Sequence, residues 1–154
     1  MSTLTVSRHF VEASLSGAER LGLDSRALLQ EAGISPDLLR IEMARVSSDQ
    51  FSKLMQVIWQ RTGDEFMGMG PRRARSGTFA TMCALVVGCQ TLEEVYQQAF
   101  RFSRLFEPMV SMELEIFGDR ARLVTRIEGS IHDPDYFLRE SILVIWHRLG
   151  SWLI

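Results

Sequence analysis

The sequence predicts an α+β fold: a mainly helical domain with one small antiparallel β-sheet, a hairpin over residues 110–117 and 120–128, packed on helices. Three observations predict it. Apolar residues recur at helical spacing through most of residues 7–106. The period then switches to two between Met112 and Ile127, and helical spacing returns from Asp135 to Ile154.

The helices follow in order. Phe10, Val11, Ser14, Leu15, Ala18 and Leu21 share one face of a first helix over 7–21, which Gly22 stops. Asp24 caps a short second helix with Ala27, Leu28 and Ala32 inward and Gly33 at its end. Pro36 suits the first turn of a third. Ser47 and Gln50 form a capping-box pair ahead of the stripe Phe51, Leu54, Met55, Ile58 and Trp59, which ends before Gly63. From Gly63 to Gly77 the pattern breaks into a glycine-rich loop that carries Arg72, Arg73 and Arg75. Phe79 to Val87 is apolar on nearly every side, which predicts a buried helix ended by Gly88. Thr91 and Glu94 read as a second capping box, ahead of Leu92, Val95, Tyr96, Ala99, Phe102 and Phe106. Pro108 closes this helical part.

In the hairpin, Met112, Leu114 and Ile116 alternate with Ser111, Glu113 and Glu115, and Gly118-Asp119 supplies the turn. Ala121, Leu123, Thr125 and Ile127 then alternate with Arg122, Arg126 and Glu128, so one face is expected buried and the other wet. Glu113 and Glu115 face Arg122 and Arg126 across the strands.

Composition removes several function classes. A net charge of -2 over 154 residues lacks the basic excess of a domain that grips phosphates. Ser25 to Arg40 has the outline of a helix-turn-helix, but charges of both signs mix there and the second helix is too short to fill a major groove. Packing of two structural helices is the expectation. The amino terminus carries charge before any apolar run, unlike a secretory signal. The longest near-apolar run, Phe79 to Cys89, falls short of the ~20 residues of a membrane helix. Cys83 and Cys89, six apart, point about 240° from each other around a helix, so they cannot pair and read as two small buried hydrophobes. A reducing cytoplasm is the expected compartment.

No nucleophile elbow, Walker loop, HExxH, CxxC or full GxGxxG is present, so neither an enzyme nor a cofactor is expected. His9, His132 and His147 have no metal-spaced partner. Arg72, Arg73 and Arg75 read either as a solvated loop or as an anion reader. Phe100, Phe102, Phe106, Met109 and Met112 read either as core or as the wall of an adaptable apolar pocket. The candidate ligand-binding residues are Phe79, Met82, Phe102, Phe106 and Met112, in a pocket between the Phe79–Val87 helix, the helix after it and the hairpin. The candidate self-association residues are Trp146, Leu149 and Trp152 on the last helix.

The ordered segments RLGLDSRALLQEAGISPDLL, RVSSDQFSKLMQVIWQRTGDEFMGMGPRRARSGTFATMCALVVGCQTLEEVYQQAFRFSRLF and MELEIFGDRARLV resemble the N-terminal arabinose-binding-like domain of AraC-type bacterial transcription regulators. The resemblance runs from Arg20 to the last helix. It implies a sensor of a small-molecule effector that forms a homodimer and acts on promoter DNA through a C-terminal pair of helix-turn-helix units. On that basis, 1–154 is one effector-binding and dimerisation domain. A lone hairpin is marginal in water, and the chain runs out on Ser-Trp-Leu-Ile with no polar stop. Both features fit a domain cut before its last strands, with the DNA-binding part outside it. The resemblance does not name the effector. A free-standing protein-interaction module without a small-molecule ligand is the alternative.

Overall fold

The computed structural model describes residues 4–106, 110–127 and 129–153, and of Phe106 only the backbone. The architecture is α+β, as expected. The chain divides into two compact units, Met1–Ser76 with Ile131–Arg139, and Gly77–Ser130 with Glu140–Ile154.

The first unit holds β1 (Thr5–Ser7), α1 (Arg8–Arg20), α2 (Ser25–Glu31), a 3-10 turn at Pro36–Arg40, β2 (Arg45–Ser47) and α3 (Ser48–Thr62). Helices α1, α2 and α3 pack on one another. Val11, Leu15 and Ala18 from α1, Leu28 from α2, and Leu54 and Ile58 from α3 form the core as expected, and Leu29 joins them, while Phe10, Leu21, Ala27 and Trp59, expected inward, are exposed. The capping residues act as the sequence indicates. The Asp24 carboxylate accepts from the Arg26 N–H at 2.9 Å, and Ser47 with Gln50 makes a reciprocal capping box. Gly63 ends α3 in the left-handed region at φ 62°.

One element was not expected: β1 and β2 pair antiparallel, with Val6 opposite Val46. Strands of three residues are too short to show an alternating pattern. The second element of the helix-turn-helix outline is only the Pro36–Arg40 turn, with no buried residue.

The loop after α3 is held from within and from outside. Asp64 is 1% exposed. Its carboxylate accepts backbone N–H bonds from Phe66 at 3.0 Å, Gly68 at 2.9 Å and Ala74 at 2.8 Å. From outside, Arg20 donates to the carbonyls of Gly68 at 3.0 Å and Gly70 at 2.8 Å. The loop thereby turns Met67 and Met69 into the core, both nearly inaccessible. It comes so close to α1 that a Cβ on Gly17 would overlap the Met67 carbonyl oxygen.

The second unit holds α4 (Thr78–Val86), α5 (Leu92–Ser103), a 3-10 turn at Arg104–Phe106, and the hairpin strands β3 (Val110–Phe117) and β4 (Arg120–Ile127). The last helix, α6 (Phe137–Leu153), starts in the first unit and continues in the second. It begins two residues later than expected, because Asp135 and Tyr136 are both left-handed, at φ 61° and 59°. Asp133 caps it instead, accepting from the Leu138 N–H at 2.7 Å and from the Arg139 guanidinium at 3.0 Å.

The hairpin register places Glu115 opposite Arg122 and Met112 opposite Thr125. The predicted charge pairs form, Arg126 to Glu113 at 2.6 Å and Arg122 to Glu115 at 3.4 Å. That hydrogen bond with Glu113 holds the Arg126 guanidinium above its ordinary pKa. Glu128, the last residue of the expected second strand, lies outside the described residues, as do Pro108 and Met109.

Three further burial expectations are corrected. Helix α4 is not buried all round: only Met82 and Val86 are inside, while Phe79, Leu85 and Val87 face solvent. Uniform apolarity gives no direction, and α5 covers a single stripe of it. The hairpin's apolar face is buried only at its base, by Val110 and Met112, and opens toward an exposed Ile116. Cys83 and Cys89 are half-buried rather than buried.

Substitutions in the first unit test the role of its ordered loop. Asp64→Ala strands three N–H groups and should cost on the order of 3 kcal/mol in urea unfolding, with Asp64→Asn costing less. Gly17→Ala should cost about 2 kcal/mol by overpacking. As a control in the second unit, Gly88→Ala, whose Cβ would meet open space, should be near neutral.

Candidate functional site: an apolar groove on the second unit

Helix α5 owes its start to Thr91, whose hydroxyl accepts from the Glu94 N–H at 3.2 Å. The expected capping box is only half made. The Glu94 carboxylate takes the Gln90 N–H at 2.8 Å, one residue earlier than a reciprocal box requires. This helix turns Val95, Ala99 and Phe100 inward, where Phe100 and Tyr96 meet Trp146 of α6. Phe100 stands edge-on to Trp146 with ring centroids 5.3 Å apart, the arrangement that opposed ring quadrupoles favour.

The Tyr96 hydroxyl donates to the Trp146 carbonyl at 3.3 Å. Burial pushes its phenol above the ordinary range, because the charged form loses water there. Gly150 lies directly against this hydroxyl, where a Cβ would collide with it. The aromatic trio thereby sets the height and rotation of the second half of α6.

That rotation sends a different stripe of α6 outward. Ile145, Leu149 and Trp152, with Phe79 of α4, line an open groove of about 500 Å³ whose edge carries Arg148 and Ser151. The candidate residues now fall into three groups. Phe79, 39% exposed, lines the groove together with Leu149 and Trp152, the last of these 79% exposed. Met82 and Met112 are buried, Trp146 is only 5% exposed within the aromatic trio, and Phe102 is half-buried. The side chain of Phe106 lies outside the described residues. The structure therefore brings one expected ligand residue together with two expected self-association residues.

Ile145 and Arg148 went unnoticed in the sequence as site residues, although both lie at helical spacing from Leu149 and Trp152. Opposite Met112, the Thr125 hydroxyl is buried without a hydrogen-bond partner.

Other candidates lie elsewhere. Asp133 is the cap of α6, and His132 is exposed, its backbone N–H donating to the Met69 carbonyl at 2.7 Å. Arg72, Arg73 and Arg75 lie exposed on the loop that Asp64 organises. Among the described residues, no group of three His, Cys, Asp or Glu side chains can hold a metal ion, and no helix is long and apolar enough to cross a membrane.

A double-mutant cycle tests the seat of α6. Gly150→Ala should lower stability by about 1–3 kcal/mol through overpacking. In a Tyr96→Phe background, which removes the colliding oxygen, calorimetry should find the penalty at least halved.

Neither a curated protein nor a solved structure matches the chain. The family model for the arabinose-binding domain of AraC transcription regulators, an N-terminal domain, matches residues 22–154. The match takes in α2 through α6, including every residue of the groove. The chain belongs to the family of N-terminal arabinose-binding domains of AraC transcription regulators.

Proposed function

We propose that this chain is the ligand-sensing and self-associating domain of a cytoplasmic AraC-type regulator. In this reading it is non-catalytic and governs promoter binding by a helix-turn-helix domain outside these residues. The family match over 22–154 carries the reading. The groove at Phe79, Ile145, Leu149 and Trp152 supports it as the effector seat, since ligand sites are concave and mostly apolar with few polar groups. An effector that binds one arrangement of α4 and α6 better than another shifts the domain toward that arrangement, and only this difference in affinity can switch it.

Self-association is assigned to the outward surface of α6. Trp146 is taken out of that surface by its burial against Phe100. Trp152 remains, joined by exposed Leu143 and Val144. Large exposed apolar side chains are a usual mark of an interaction surface.

Thermal melting against a panel of sugars, amino acids and organic acids tests the sensing role, and sedimentation equilibrium tests the dimer. One compound class should raise the melting temperature saturably, by the equivalent of about 2.7 kcal/mol at a hundredfold excess over Kd. Val144→Asp should shift a dimer toward monomer while leaving the ligand-induced rise in place. A flat response across the panel contradicts sensing and favours a protein-interaction module.

A further inference from the structure

We propose that the groove takes an amphiphilic anion, an apolar chain or ring ending in one carboxylate, and that Arg148 receives the carboxylate. This rests on the sensing reading above and names the chemical class of the effector.

Three observations carry it. The walls are Phe79, Ile145, Leu149 and Trp152, all apolar. The three α6 residues lie at i, i+4 and i+7, so they form a strip about 10 Å long on one side of the helix. That strip suits an extended apolar body, and burying it there releases water from both surfaces.

Polar groups are few. Of the six lining residues only Arg148 and Ser151 are polar, and the Ser151 hydroxyl already donates to the His147 carbonyl at 2.9 Å. A sugar lying in this groove would leave most of its hydroxyls facing hydrocarbon without partners, which is costly. An arabinose-like ligand is therefore a poor fit for these walls.

The single charge has one sign. Among the described residues, Arg148 is the only ionisable one lining the groove, and no Asp or Glu follows Glu140 in the sequence of α6. A guanidinium fork beside an apolar strip matches a carboxylate with two parallel N–H bonds, and its pull is stronger where water is partly excluded. A cationic amphiphile of the same length meets repulsion at the same point.

Tryptophan fluorescence and melting, read with octanoate, octanol, octylammonium and D-arabinose, test the assignment. Octanoate should bind saturably and at least about tenfold more tightly than octanol or octylammonium, the size of effect expected from one charge-assisted bidentate contact. Arg148→Gln should reduce octanoate to the level of octanol without lowering the ligand-free melting temperature, and Arg148→Lys should restore part of the difference. Equal octanoate binding by wild type and Arg148→Gln overturns the proposal. So does equal binding of octanoate and octylammonium, which means partitioning onto apolar surface. A saturable response to D-arabinose or another panel compound with none to octanoate overturns the anion class while the sensing role stands. A dimer that octanoate does not loosen and that Phe79→Ser dissolves assigns the groove to a second copy instead.

Discussion

The first unit depends on one buried carboxylate. An isolated charge at the position of Asp64 would cost several kcal/mol in lost hydration. The backbone N–H groups of Phe66, Gly68 and Ala74 offset that cost only if the loop winds around the carboxylate. That winding constrains the neighbouring backbone. Met67 is driven into the left-handed region at φ 57°, unusual for a residue with a side chain. Gly68 approaches the Gly17 backbone so closely that a Cβ would lie 2.6 Å from its carbonyl oxygen. Met67 and Met69 then fill the space beside α1. A glycine-rich run that reads as loose chain is thus as firmly specified as the helices around it.

The second unit is organised differently, by aromatic packing and with much more apolar surface left outside. Tyr96, Phe100 and Trp146 fix one side of α6, and Gly150 lets the helix approach the tyrosine hydroxyl. The other consequence is apolar surface left exposed on several sides of the helices. Leu143, Val144, Ile145 and Trp152 on α6, with Phe79, Leu85 and Val87 near α4, are all exposed. Surface of this kind is expensive to keep in water.

Most of the fold was legible because it is written in local chemistry. Capping side chains at Asp24, Ser47 and Thr91 placed three helix starts, and the two-residue period with Gly118-Asp119 placed the hairpin and its charge pairs. What stayed hidden was non-local. The β1–β2 pair joins residues about forty positions apart through three-residue strands. The role of Asp64 depends on N–H groups up to ten residues away, which no spacing rule announces. The candidate site was half legible. Leu149 and Trp152 stood out as apolar positions on α6, and Phe79 as one on α4. The sequence could not tell that Trp146 faces inward while Ile145 and Arg148 face the groove, since α6 carries apolar residues on several sides and only packing chooses among them. The same ambiguity hid the exposure of α4.

The central claim is that this domain reads a small molecule and passes the result to promoter DNA. Footprinting of promoter DNA by the intact gene product, with and without a compound that saturably stabilises the domain, tests it most directly. Occupancy should change at compound concentrations that match the melting response. Occupancy unchanged at full saturation would contradict the claim.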